Sequence, residues 1–98
     1  MRTYEVIYIV HPDLDDSSFK QINDQMQSAI KDNGGTISKA DIWGKRKMAY
    51  PIRKQSEGQY VLLHTEMDPA FCAELERQLR LQESVMRFLI IATDEDQE

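Results

Sequence analysis

The order in which hydrophobic periodicity switches along this chain leaves few ways to close it into a fold. Residues 2–10, Arg-Thr-Tyr-Glu-Val-Ile-Tyr-Ile-Val, are rich in β-branched and aromatic types and stop at His11-Pro12-Asp13, which reads as a strand. Tyr4, Val6, Tyr8 and Val10 share one face at period two, and Ile7 and Ile9 make the other face partly apolar, so the strand is expected to be central and covered on both sides. A partner molecule is one candidate for the second covering. Asp15, Asp16 and Ser17 then form a cap-competent start. Phe19, Ile22, Met26, Ala29 and Ile30 recur at spacings of three and four, which predicts an amphipathic helix of roughly 16 residues stopped by Asn33-Gly34-Gly35.

From Thr36 to about Met48 the pattern is strand-like again, and a further strand spans Gln59 to Met67. The polar stretch Lys54-Gln55-Ser56-Glu57-Gly58 between them predicts a long hairpin. Gly44 marks a bulge or a close backbone approach, and Pro51 fits only an edge strand or a loop. Asp68-Pro69 opens a second helix with Phe71, Leu75, Leu79 and Cys72 inward and Arg77 and Arg80 on or beside the outer face. Val85 to Thr93 is a last strand whose continuous apolar run predicts burial on both faces.

Strand, helix, strand, strand, helix, strand closes most economically as the split βαβ arrangement. This is an α+β fold with a four-stranded antiparallel sheet, both helices on one face and the other face open. A chain of 98 residues holds one hydrophobic core, so residues 1–93 are expected to form a single domain and residues 94–98 a disordered acidic tail. No stretch approaches the twenty or so apolar residues that cross a bilayer, and the start lacks a secretory leader's basic and then apolar regions. A cytoplasmic protein with no membrane partner is expected.

Charge is unevenly placed. The formal net charge is −5, but Asp94, Glu95, Asp96 and Glu98 carry four of those negative charges, which leaves the body near −1. Against this background Lys45, Arg46, Lys47, Arg53 and Lys54 cluster around Tyr50 on the predicted hairpin. Concentrating cations costs repulsion unless an anion balances them, and the commonest polyanion is a nucleic-acid backbone. Tyr4, Trp43, Tyr50 and Tyr60 are available to stack bases or to pack a partner. The basic-Gly-aromatic-small-aromatic run of the common RNA-recognition strand is missing from Gln59 to Met67, which points to binding by shape and backbone.

Catalytic chemistry finds no constellation. Asp15 and Asp16 are explained by capping and the helix dipole, and His11 and His64 stand apart as strand residues. No glycine-rich phosphate loop, serine-nucleophile motif or metal-spaced cluster is present, and the cradle of the acylphosphatases that share this topology is not found. Cys72 is the only cysteine, which excludes an internal disulfide and a Cys-rich zinc site. No metal, cofactor or small-molecule substrate is expected.

Met1-Arg2-x-Tyr4-Glu5, Gly44-x-Arg46-x-Met48-Ala49-Tyr50-Pro51-Ile52-x-Lys54, Gly58-x-Tyr60 and the segment from Leu79-Arg80 to Val85-x-Arg87 follow one another in order. In these the chain resembles the bacterial small-subunit ribosomal protein six family, with Ala-Tyr-Pro-Ile the most specific block. The resemblance implies a ferredoxin-like fold and no enzymatic activity. It also implies a structural role in the small ribosomal subunit, on the central domain of its RNA together with small-subunit ribosomal protein eighteen as heterodimer partner. Carried over by motif position, RNA contacts fall on Arg2, Arg46, Lys47, Lys54 and Arg87, with Lys45, Arg53 and Arg80 beside them. The partner surface falls on Trp43, Met48, Tyr50 and Tyr60. Lys47 stands where an arginine is common in the family, which keeps the charge and loses a bidentate contact. The alternative is a regulatory module of the same topology that uses the open sheet to bind a protein or ligand; the basic hairpin argues against a homodimer core there, where charge is depleted.

Overall fold

Asp15 accepts the Ser18 amide hydrogen at 2.9 Å and so caps helix α1 (Asp16–Asp32) in the computed structural model, which describes residues 1–93. The helix follows strand β1 (Arg2–Val10) and leads to the strands β2 (Thr36–Ile52) and β3 (Gln55–Met67). Asp68 caps a 3₁₀ turn (Pro69–Phe71), with Pro69 at its start where no amide hydrogen is missed. Helix α2 (Cys72–Leu81) and strand β4 (Val85–Ala92) complete the chain. The acidic tail expected at residues 94–98 lies outside the described residues.

All strand pairings are antiparallel and the order across the sheet is β2-β3-β1-β4, so β1 and β3 are central and β2 and β4 are edges. Tyr4, Val6, Tyr8 and Val10 of β1 share one buried cluster with Ile22, Met26 and Ile30 of α1, with Leu75 and Leu79 of α2, and with Val61, Leu63 and Met67 of β3. Both helices therefore cover the same sheet face, as the ferredoxin-like arrangement requires. Met26 and Leu75 are fully buried, each contributing about 1.5–3 kcal/mol of apolar burial.

Two expectations change. The run from Val85 to Thr93 predicts burial on both faces, yet β4 is an edge strand whose Leu89 and Ile91 are 55% and 39% exposed on the open face. Continuous apolarity cannot distinguish burial by the protein's own chain from an uncovered apolar surface. The hairpin loop predicted over residues 54–58 is instead a two-residue turn at Arg53-Lys54, because β3 begins at Gln55 and pairs it with Ile52.

Candidate nucleic-acid interface

β1 reaches β3 only from Gln59 to Met67, so the distal part of the β2–β3 hairpin has no third strand beside it. At the start of this overhang Lys45 pairs with Gln59, the last β3 residue that β1 reaches, and within it Arg46 pairs with Gly58 and Lys47 with Glu57, after which the register shifts until Ile52 meets Gln55. Residues 48–51 thus stand opposite Ser56 alone, and β2 must buckle there. Pro51 tolerates this because its edge position demands no ladder hydrogen. Met48 turns inward and is buried with Ile9 and Met86, with Ile52 and Tyr60 packed alongside. The same cluster explains Gly58, since a Cβ there would overlap Ile9 Cγ2 and press within 3.3 Å of Met86 Cε. Gly44 differs: its φ of 78° follows a register shift after Ile42 and nothing lies near its missing side chain, so conformation demands glycine and the bulge expected there is present.

At the tip Arg53 and Lys54 have φ of 50° and 64°, the left-handed pair that a two-residue hairpin turn requires and that asparagine and glycine usually supply. Arg53 donates from Nη1 to the Glu83 carbonyl at 2.8 Å and from Nη2 to the Val85 carbonyl at 3.4 Å, bridging the turn to the α2–β4 connection. One further link ties the hairpin down. Arg87 donates to the Tyr50 hydroxyl at 2.9 Å with its guanidinium 5.9 Å from that ring's centre.

All eight residues predicted to contact RNA are exposed. Lys45, Arg46, Lys47 and Lys54 belong to no ion pair among the described residues, and in the overhang five cations face Glu57 as the one acid. Arg80 lies 3.8 Å from Glu76 and 5.5 Å over the Phe88 ring, while Arg2 pairs with Met67 at the opposite end of the sheet from the turn. The fold therefore collects Lys45, Arg46, Lys47, Arg53 and Lys54, and does not bring Arg2 to them.

The aromatic residues fall beside this ridge. Trp43 and Tyr60 stack with ring centres 6.0 Å apart and planes 14° from parallel, and Trp43 and Tyr50 remain 45% and 58% exposed. Met48, predicted on the same surface, lies beneath it in the cluster with Ile9 and supports it from inside. Further along the open face Ile7, Ile9, Arg87, Phe88 and Leu89 line a shallow depression. His64 lies between Glu5 at 3.7 Å and Asp41 at 3.8 Å, while His11 accepts the Asp13 amide hydrogen at 3.1 Å. Arg77 and then Gln78 hydrogen-bond Glu74 and hold its carboxyl down to about 2, an ordinary helix-surface pairing.

The sequence signal missed how Arg53 and Arg87 are used, because their partners lie 30 or more positions away and no periodicity connects them. A model of the family described as ribosomal protein S6 matches residues 3–92. The chain belongs to the ribosomal protein S6 family. The small ribosomal subunit protein bS6 of Caldanaerobacter subterraneus subsp. tengcongensis is 45% identical to it over 95 residues, which cover 97% of this chain and 100% of that protein. That of Moorella thermoacetica is 40% identical over 96 residues, with 98% of each chain covered. The crystal structure of 30S ribosomal protein S6 from Thermotoga maritima matches with a TM-score of 0.90 at 27% identity, covering 94% of this chain and 87% of that one. The C-terminal domain of MgtC from Mycobacterium tuberculosis has a TM-score of 0.68 at 17% identity and shares the fold alone. As an S6-family chain this is a structural protein of the small ribosomal subunit and not an enzyme. Its Ala49-Tyr50-Pro51-Ile52 block coincides with the buckled segment of β2.

Proposed function

We propose that this S6-family chain binds the central-domain RNA of the small subunit together with small-subunit ribosomal protein eighteen, and that holding the two supports subunit assembly. The observation that carries the reading is the overhanging hairpin, whose Lys45, Arg46, Lys47 and Lys54 extend beyond the sheet with no acid paired to them among the described residues. A ridge of this kind reaches phosphates without the rest of an acidic protein approaching the RNA, and phosphate contact positions a protein on RNA without reading bases. Arg2, Arg80 and Arg87 are exposed further contacts in this reading, and Arg53 stands at the turn itself. The partner surface is the neighbouring aromatic patch of Trp43, Tyr50 and Tyr60, supported by Met48, where large apolar area lies next to an edge strand. A strongly cationic partner on that side would balance the negative body.

The test is the salt dependence of binding to a central-domain RNA fragment in the presence of protein eighteen. The affinity should fall steeply with salt, and replacing Arg46 and Lys47 with alanine should flatten the slope of log affinity against log salt by about 0.7–0.9 per lost contact. Thermal stability should hardly change, since both residues are exposed. A slope that the double variant leaves intact would remove the hairpin from the RNA interface.

A further inference from the structure

We propose that Arg53 is a positioning residue: its guanidinium clasps the hairpin turn to the α2–β4 connection and holds Lys54 and the lysine-arginine ridge in register for phosphates, without touching RNA itself. The inference rests on the RNA reading above and says how that ridge is kept in shape.

Three observations carry it. First, both terminal nitrogens of Arg53 already donate to backbone carbonyls, at 2.8 Å to Glu83 and 3.4 Å to Val85. Two of its five N–H groups, one on each terminal nitrogen, are thereby committed to the fold before any phosphate approaches. Second, the turn needs restraint. Arg53 and Lys54 both take left-handed backbone conformations, which side chains with a Cβ disfavour, so this hairpin tip lacks the local preference of an asparagine-glycine turn. Third, the distal hairpin has no third strand, and its register slips between Lys47 and Ile52. Such a segment stays in place only through contacts to the rest of the molecule. The clasp at Arg53 is reinforced by the Arg87–Tyr50 hydrogen bond and by burial of Met48. Lys54, next to Arg53 in the turn, is exposed and has no ion-pair partner among the described residues.

The experiment compares the full chain with Arg53→Ala and Arg53→Lys, using a central-domain RNA fragment with protein eighteen across a salt series, and follows amide hydrogen exchange of residues 52–57 in the free protein. For Arg53→Ala the expected result is exchange accelerated at least about fivefold at the turn and RNA affinity lowered about fivefold, as when the binding-competent fraction drops to about a fifth. The salt slope should keep its wild-type value. Arg53→Lys, which can still reach one carbonyl, should recover part of both losses. A slope reduced by about 0.7–0.9 with unchanged exchange would make Arg53 a phosphate contact and overturn the proposal. Unchanged exchange together with unchanged affinity would overturn it as well. Salt-independent binding by the wild-type chain would remove the RNA reading itself, and the positioning role would fall with it.

Discussion

Tyr8 on β1 donates its hydroxyl hydrogen to the side-chain oxygen of Asn23 on α1, and both residues are buried. The bond joins the central strand to the first helix inside an otherwise apolar cluster. Deleting one partner strands the other away from water. Asn23→Ala and Tyr8→Phe should each destabilise the fold by about 1–3 kcal/mol in urea titrations, whereas Tyr8→Phe combined with Asn23→Leu should recover much of the loss. Additive losses in the double variant would show that the two groups do not act as a pair.

The same tyrosine makes a prediction for alkaline pH. Burial, with a smaller contribution from Asp24, pushes the Tyr8 hydroxyl well above its ordinary range. In the unfolded chain it ionises near its usual value of about 10, while the folded chain retains the proton. The unfolded state then binds fewer protons, so stability is intact below about pH 10 and falls above it, by up to about 1.4 kcal/mol per pH unit from this group. Tyr8→Phe should shed that part of the decline, as followed by urea midpoints from pH 9 to 11.

Gly58 and Ile9 make a second pair. Because a Cβ at residue 58 would overlap Ile9 Cγ2, Gly58→Ala should cost about 1–3 kcal/mol through overpacking. Adding Ile9→Ala, which removes the obstructing methyl, should make the double variant more stable than the sum of the singles predicts. Simple additivity in a thermal-melt cycle would mean that the backbone relaxes instead.

On α2 the Glu74 carboxyl is held down to about 2 by hydrogen bonds from Arg77 and Gln78. The stabilisation it lends is present above the ordinary carboxylate pKa and is lost as pH falls toward 2. Arg77→Ala should move the Glu74 titration upward toward the usual glutamate value near 4.3, read from NMR chemical shifts. A midpoint left near 2 would assign the effect to Gln78 alone.

In the core, Met26→Ala and Leu75→Ala should each cost about 2–5 kcal/mol in denaturant titrations, because both side chains are fully buried between helix and sheet. A near-neutral result at either site would contradict that burial.

Much of this molecule is legible from local pattern. The three-and-four spacing of Ile22, Met26 and Ile30 identifies the buried stripe of α1, and alternation from Tyr4 to Val10 identifies the helix-facing side of β1. Asp15 and Asp68 mark where helical structure starts, and Pro51 marks an edge. Lys45, Arg46 and Lys47 are recognisable as a basic hairpin because charge is written directly in side-chain type. These features survive translation into structure because each depends on backbone geometry within a few residues.

What only the tertiary structure decided depends on groups far apart in the chain. Arg53 appears in the sequence as one more cation of the ridge, and it becomes a clasp because the α2–β4 connection brings the Glu83 and Val85 carbonyls to the turn. Met48 reads as surface and is buried because β2 buckles over Ile9 and Met86, while Leu89 and Ile91 read as buried and are exposed because both helices cover the opposite face of the sheet. The turn itself moves to Arg53-Lys54 because strand register, fixed by cross-strand pairing, overrides the local preference for a polar loop ending in glycine. Periodicity tells which residues share a face, and packing alone determines what that face meets.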